Sequence, residues 1–450
     1  LTIELSIENV IRSYIQKKQI TLKDLAEQTN INRGNMSAAI NRNSKKILSI
    51  PQLDSLTEVV GFPKGALYDA FFKDFKVSKI DMRRTRKFIL ACADLKRLDL
   101  INQIIEFCYE DRKFITNAFE IAEELYNLEF KDSASILYNS VVKYEFNANS
   151  DRLSISYYRL FIIHKDDTEL GFKYASQFYP YRLKLPLDLK LDGIVALAYA
   201  YGVQNKWSDV DILSEELRVL TQTIYDQELY KDDDFLPARP FVYYFGQSYL
   251  MRESMFEFYK EYEKALLWNE KYRDLSWFKD LDEKGKEQVE LYTHFAEANL
   301  KAIHLKMGDE SVVPDYYDSL KNDPTEMTFG IANILEAANK YKFNIDNILA
   351  DYEEFSQKTY VEKNESKKYT KLFMIQHQAN LDYQYAIYLF NSNNHSPGIK
   401  KLLQSLHNSV TISNITTAFD CVLVFNGYRE YATKEQIIEF NNICKGALTR

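Results

Sequence analysis

An all-α fold is predicted by three observations: scarce helix breakers, a hydrophobic period near 3.6 residues along most of the chain, and capping residues where the periodic segments begin. Only 13 of 450 residues are Gly and 9 are Pro, well below the ordinary shares of about 7% and 5%. Tight β-turns and glycine-rich phosphate loops therefore have few places to sit. With 46% hydrophobic residues the chain holds enough apolar material for two or three domains. Its 33 Tyr and 28 Phe are the unusual part of that composition.

Charge divides the chain. Residues 1–87 carry 16 Lys+Arg against 9 Asp+Glu, a net of +7, so the whole-chain value of −8 leaves −15 on the rest. A basic head suits a polyanionic partner and an acidic body avoids one. Four widely spaced cysteines, at 92, 108, 421 and 444, form no CxxC pair and read as reduced thiols. No secretory leader or membrane-length apolar run is visible, and a cytoplasmic location is expected.

Ser6 to Gln19 places Ile7, Val10, Ile11, Tyr14 and Ile15 on one helical face, predicting a first amphipathic helix. Thr21 opens the second, and with Asp24 three residues on it can satisfy the free N–H groups of the first turn. Leu22, Leu25 and Ala26 form its buried side. Asn30 stands where a sharp turn needs the left-handed conformation, which Asn tolerates best after Gly. Asn32 caps a third helix with Met36 and Ala39 inward and Arg33, Gly34, Ser37 and Ala38 outward. Helices four and five follow Pro51 and Pro63.

The order of Leu25, Ala26, Thr29, Asn30, Ile31, Asn32, Arg33, Ser37, Ile40 and Asn41 resembles the helix-turn-helix of the Cro/C1 (Xre) repressor family, over residues 5 to about 62. The resemblance implies a five-helix DNA-binding domain at 1–76 whose third helix enters the major groove. It assigns DNA contacts to Asn32, Arg33, Gly34, Ser37 and Ala38 at the start of that helix, and phosphate contacts to Thr21, Asn41, Lys45 and Lys46. Arg33 can present two donors to guanine and Ala38 a methyl to thymine. Asn30 replaces the family's usual turn Gly, and Arg42 stands where a Gly often follows.

Residues 77–115 read as a basic linker with connecting helices. Five of the nine residues from 79 to 87 are cations. Arg83, Arg84, Arg86 and Lys87 suit either phosphate contact or a solvated face.

From 116 to 450 the chain falls into helix pairs. The clearest are Leu189–Val203 with Trp207–Thr221, Pro240–Arg252 with Met255–Tyr272, Glu287–Lys306 with Val313–Leu320, and Met327–Tyr341 with Ile345–Gln357. A long helix is expected near 366–391, a short one after Pro397, one near 411–425, and a last one opened by a capping box of Thr433 and Gln436. Pair starts recur at roughly 35 to 50 residues, the range of helical arrays. The aromatic and small residues of Ala198–Trp207 and Tyr262–Tyr272 resemble those of tetratricopeptide (TPR) repeats, which implies a right-handed α-solenoid of degenerate TPR-like pairs.

A helix-turn-helix followed by such an array resembles the RRNPP group of peptide-sensing regulators of Gram-positive bacteria and their phages. That likeness implies a sequence-specific transcriptional regulator controlled by a short signalling peptide in the solenoid's concave groove. Its partners would be a double-stranded DNA operator, the peptide and a second copy of the chain. The alternatives are a peptide-controlled protein that grips a response regulator, and a phage-type repressor whose solenoid binds protein.

An extended peptide needs partners for its amides. Tyr199, Tyr243, Gln247, Arg252, Asn299, Asn333 and Asn380, on the first helices of the pairs, are candidates for that work, with Arg252 suited to a carboxylate. Taken singly, each suits an ordinary packed or exposed position better. Phe419, Val422, Leu423, Val424 and Phe425 suit either a dimer surface or a terminal cap. No nucleotide loop, zinc motif or nucleophile elbow occurs, and the six His have no metal-ligand spacing. Acidic pairs such as Glu215/Glu216 and Glu353/Glu354 read as solvent faces. No enzyme activity, cofactor or metal is expected.

Overall fold

A computed structural model of the chain describes residues 6–41, 47–78, 81–109, 114–321, 324–359 and 370–448. Among them the fold is all-α, with no strand. The chain divides into two compact units, Leu1–Ile163 and His164–Arg450. The limits expected at 76/77 and 115/116 both lie inside the first.

The first unit opens with α1 (Ile7–Lys18), α2 (Leu22–Gln28), α3 (Arg33–Ala39), α4 (Ile50–Val59) and α5 (Tyr68–Val77). Ile11, Leu25, Met36, Leu53 and Leu56 are fully buried among them. Helix five begins at Tyr68 rather than directly after Pro63, because Gly65, at φ +83°, first turns the chain. It is followed by α6 (Met82–Asp94), α7 (Leu98–Cys108), α8 (Phe114–Asn127), α9 (Lys131–Tyr144) and α10 (Asp151–His164). An aromatic core fastens α5 to α6 and α7: Phe71 and Phe88 meet edge to face at 4.8 Å, Phe75 and Phe107 at 5.8 Å.

In the second unit α11 (Gly171–Phe178) leads into a succession of pairs. These are α12 (Leu187–Val203) with α13 (Trp207–Asp226), α14 (Phe241–Phe258) with α15 (Tyr262–Arg273), and α16 (Glu283–Met307) with α17 (Val313–Leu320). Next come α18 (Pro324–Tyr341) with α19 (Asp346–Thr359), α20 (Lys371–Asn391) with α21 (His395–Thr411), and α22 (Ile415–Gly427) with α23 (Lys434–Leu448). Thr433 and Gln436 form the expected reciprocal cap of α23, at 3.0 and 3.3 Å.

Helix limits in the second unit also differ from the sequence reading. Helix α14 runs on through Met255 to Phe258 and turns at Lys260, whose φ of +60° supplies the bend that neither Gly nor Pro marks. Helix α21 is 17 residues long rather than short, since Pro397 lies in its first turn, where a missing N–H costs nothing. Glu215 and Glu216 are half-buried rather than on a solvent face. Both reach arginines on neighbouring elements, Glu215 to Arg252 at 3.2 Å and Glu216 to Arg182 at 2.6 Å.

The first helices of five pairs close on themselves. Helix α12 packs on α14, α14 on α16, α16 on α18, α18 on α20, and α20 returns to α12. The return junction has a small apolar centre of Val203, Leu372 and Ile412. Around it Gln204 Nε2 donates to the Ile412 carbonyl at 2.8 Å, and Asn414 Nδ2 to the Val203 carbonyl at 3.0 Å and to Gln376 Oε1 at 2.7 Å. Amides do most of the closing, because the ends of α12 and α21 present carbonyls with no partner inside their own helices.

Candidate functional sites

The first candidate is the exposed side of α3. Its placement begins at Thr21, whose hydroxyl accepts from the Asp24 N–H at 3.2 Å while Asp24 accepts from the Thr21 N–H at 2.8 Å. The Thr21 N–H, and after it the Thr21 hydroxyl donating at 2.8 Å, hold the Asp24 carboxyl below the usual carboxylate range. Thr29 ends α2, and Ser55 of α4 donates to its carbonyl at 2.7 Å. Asn30 adopts φ +53°, so the chain reverses without Gly. The Asn32 side chain then accepts the Asn35 N–H at 2.8 Å and opens α3.

Met36 is the buried anchor of α3, and this fixes the helix rotation. Arg33, Gly34 and Ser37 face solvent, as do Asn32, Thr21 and Asn41; Ala38 and Ala39 are half-buried. Arg33 has no ion-pair partner among the described residues. It lies with Glu27, Asn30, Asn32 and Gln52 along a shallow cleft between α2, α3 and α4. Lys45 and Lys46, together with Arg42, lie outside the described residues.

The second candidate is the wall enclosed by the five-helix ring. Tyr199, Tyr243 and Gln247 are brought together there. Gln247 Nε2 donates to Tyr199 Oη at 3.1 Å, and Tyr292 Oη stands 3.0 Å from Gln247 Oε1 and 3.1 Å from the Tyr243 carbonyl, donating to this pair. Burial raises the phenol pKa of Tyr199, Tyr243 and Tyr292, so all three keep their protons as donors. Arg239, exposed on the loop before α14, lies over the Tyr243 ring at 5.8 Å.

Tyr199 also meets Phe373 of α20 edge to face at 5.6 Å. His377, one turn on, stands 4.3 Å from both Phe373 and Phe329. Desolvation, with a smaller contribution from Lys306 of α16, lowers its pKa to about 4, so the imidazole is neutral at physiological pH. The wall is therefore aromatic at this level, with tyrosine hydroxyls, the Gln247 amide and the neutral His377 imidazole as polar groups and the Arg239 guanidinium beside Tyr243.

The other four candidates have separate surroundings. Arg252 pairs with Asp211 at 3.0 Å and Glu215 at 3.2 Å, and its guanidinium lies 4.8 Å over Trp268. Asn299 donates to Tyr272 Oη and Asn333 to Tyr316 Oη, each at 3.0 Å. Asn380 is half-buried on α20.

Asn299 is the outer end of a buried relay. Tyr272 Oη, which accepts from Asn299 and from Asn269 at 3.1 Å, donates to Glu253, whose other oxygen has no hydrogen-bond partner. Burial, reinforced by the Glu257 charge one turn away, pushes the Glu253 pKa up to about 8. Lys306, which bridges Glu257 and Glu336, partly offsets this.

Sequence reasoning missed Tyr292, Phe329, Phe373, His377 and Glu253. One local signal did exist for Tyr292. Gly246 sits in mid-helix beside Gln247, and a Cβ there would stand 2.4 Å from the Tyr292 ring, so only Gly lets that ring lie on α14.

Among the described residues no group of three or more His, Cys, Asp or Glu is placed to hold a metal ion, and no helix is long and apolar enough to cross a membrane. No protein-family model, curated protein or solved structure matches this chain.

Proposed function

We propose that the chain is a sequence-specific DNA-binding transcriptional regulator whose activity is set by a short peptide held inside the second unit. The observation that carries the reading is the local geometry of α2 and α3. A capped helix, a left-handed Asn30 and a second capped helix present Arg33, Gly34 and Ser37 outward from a buried Met36. That arrangement meets what a helix-turn-helix needs in order to lay its second helix in a major groove. The net +7 of residues 1–87 favours approach to phosphate.

The helix pairs of the second unit are read as a TPR-like solenoid, and the half-buried Tyr199 and Tyr243 as its peptide-facing groups, positioned by the buried Gln247 and Tyr292. Rigid tyrosine rings with polar tips suit a peptide's apolar side chains and amides together. In this reading the peptide shifts the ring between two arrangements, and two copies of the chain set the spacing of their α3 helices, about 34 Å for adjacent half-sites.

The test is thermal unfolding of the full chain with short peptides encoded beside its gene. A true ligand stabilises by mass action, about 2.7 kcal/mol at a hundredfold excess over its dissociation constant. Tyr199→Phe with Gln247→Ala should remove most of that shift. A shift that survives both changes places the ligand elsewhere.

A further inference from the structure

Among the described residues, the first unit neutralises most of its guanidinium groups. Arg12 pairs with Glu8 at 2.9 Å, Arg86 with Glu124, Arg97 with Asp69 at 2.9 Å and Asp99 at 2.7 Å, Arg152 with Glu145 at 2.9 Å, and Arg159 with Glu123 at 3.0 Å. Three described arginines of this unit have no carboxylate partner among the described residues: Arg33, Arg83 and Arg84. Arg33 is the residue on which the DNA-binding reading turns. The other two are neighbours on α6, and Lys87 beside them is also unpaired.

The rotation of α6 is fixed by its buried residues Thr85, Phe88, Ile89, Cys92 and Ala93. At 100° per residue, about the α-helical step, Arg83 and Lys87 project directly away from that core and Arg84 projects from one flank. Arg86 falls on the other flank, which explains why it alone reaches α8 and Glu124. Arg83 and Lys87 are exposed and Arg84 is half-buried.

We propose that Arg83, Arg84 and Lys87 form a second DNA contact, gripping duplex phosphates. This rests on the DNA-binding reading and extends it to a surface outside α2 and α3. The guanidinium fork matches a phosphate, and such contacts add affinity and register without reading sequence. The two sets of residues therefore separate: Arg33 governs sequence preference and the α6 cations govern salt dependence.

The experiment is fluorescence anisotropy of the full chain on a labelled mixed-sequence DNA duplex across a KCl series. Each lost phosphate contact makes the slope of log K against log [KCl] shallower by about 0.9, so Arg83→Ala/Arg84→Ala/Lys87→Ala should lose about 2 to 3 of slope. Arg83→Lys/Arg84→Lys, which keeps charge and fold, should retain it. An unchanged slope in the triple alanine variant overturns this proposal alone. A wild-type chain that binds no duplex at low salt overturns the DNA reading, and the proposal with it.

Discussion

The Asn414 side chain donates to the Val203 carbonyl at 3.0 Å across 211 residues of chain, and so joins the two ends of the helix ring. The same side chain accepts the Thr417 N–H at 3.1 Å and caps α22, while its amide also reaches Gln376. It is 1% exposed, so none of these bonds can be replaced by water without rearrangement. Asn414→Ala should cost about 2–4 kcal/mol in denaturant unfolding, the sum of a lost cap and a stranded buried carbonyl. Asn426→Ala, at an exposed site on α22, should stay within about 0.5 kcal/mol of wild type.

Two glycines should respond oppositely to alanine. A Cβ on Gly246 would press on the Tyr292 ring at 2.4 Å, so Gly246→Ala should destabilise by about 1–3 kcal/mol through overpacking. Gly202, near the end of α12, has nothing within 4 Å of its Cβ position. Gly202→Ala should be neutral or stabilising by up to about 1 kcal/mol from helix propensity. Chemical denaturation of both variants checks the ring packing, and equal effects would contradict it.

Glu253 gives the fold a pH dependence of definite sign. Its pKa is about 8 in the folded chain against an ordinary 4.5, so the folded state holds a proton that the unfolded state releases between those values. Its contribution to stability is complete below pH 4.5 and is lost as pH rises through about 8. Glu253→Gln should flatten the fall in melting temperature between about pH 5 and about pH 8, whatever its effect on the absolute value. His377 acts on the acid side. Its pKa, lowered from 6.5 to about 4, gives stability that is present above pH 6.5 and lost as pH falls through 4.

Lys260 carries the turn between α14 and α15 at φ +60°. A side chain in that region costs about 1–2 kcal/mol, which Gly avoids at the expense of greater freedom when unfolded. Lys260→Gly should leave stability unchanged or raise it by up to about 1 kcal/mol, and Lys260→Val should lower it. Urea midpoints of the two variants give the comparison.

The helices were legible wherever a side chain had local work. Thr21 with Asp24, Asn32 and Thr433 with Gln436 announce their caps in the sequence, and the structure forms each. Turns were harder. Among the described residues, Gln19, Lys96, Glu129, Glu228 and Lys260 take positive φ without the Gly that usually signals it, so the end of α14 was misplaced. Ring closure was not legible, because Gln204 and Asn414 meet partners more than 200 residues away and nothing local selects them. Tyr199, Tyr243 and Gln247 could be named from helix position, but Phe373 and His377 come beside them only through that closure.

The central claim is that α3 reads a DNA sequence. Its most direct test is competition binding of the full chain to a tiled set of duplexes spanning the DNA around its own gene, for wild type and for Arg33→Ala. One or more tiles should be preferred over mixed sequence by about 10³-fold or more, and Arg33→Ala should lose about 1–3 kcal/mol of that preference while still binding at low salt. Equal binding to every tile by the wild-type chain, or a preference untouched by Arg33→Ala, would contradict it.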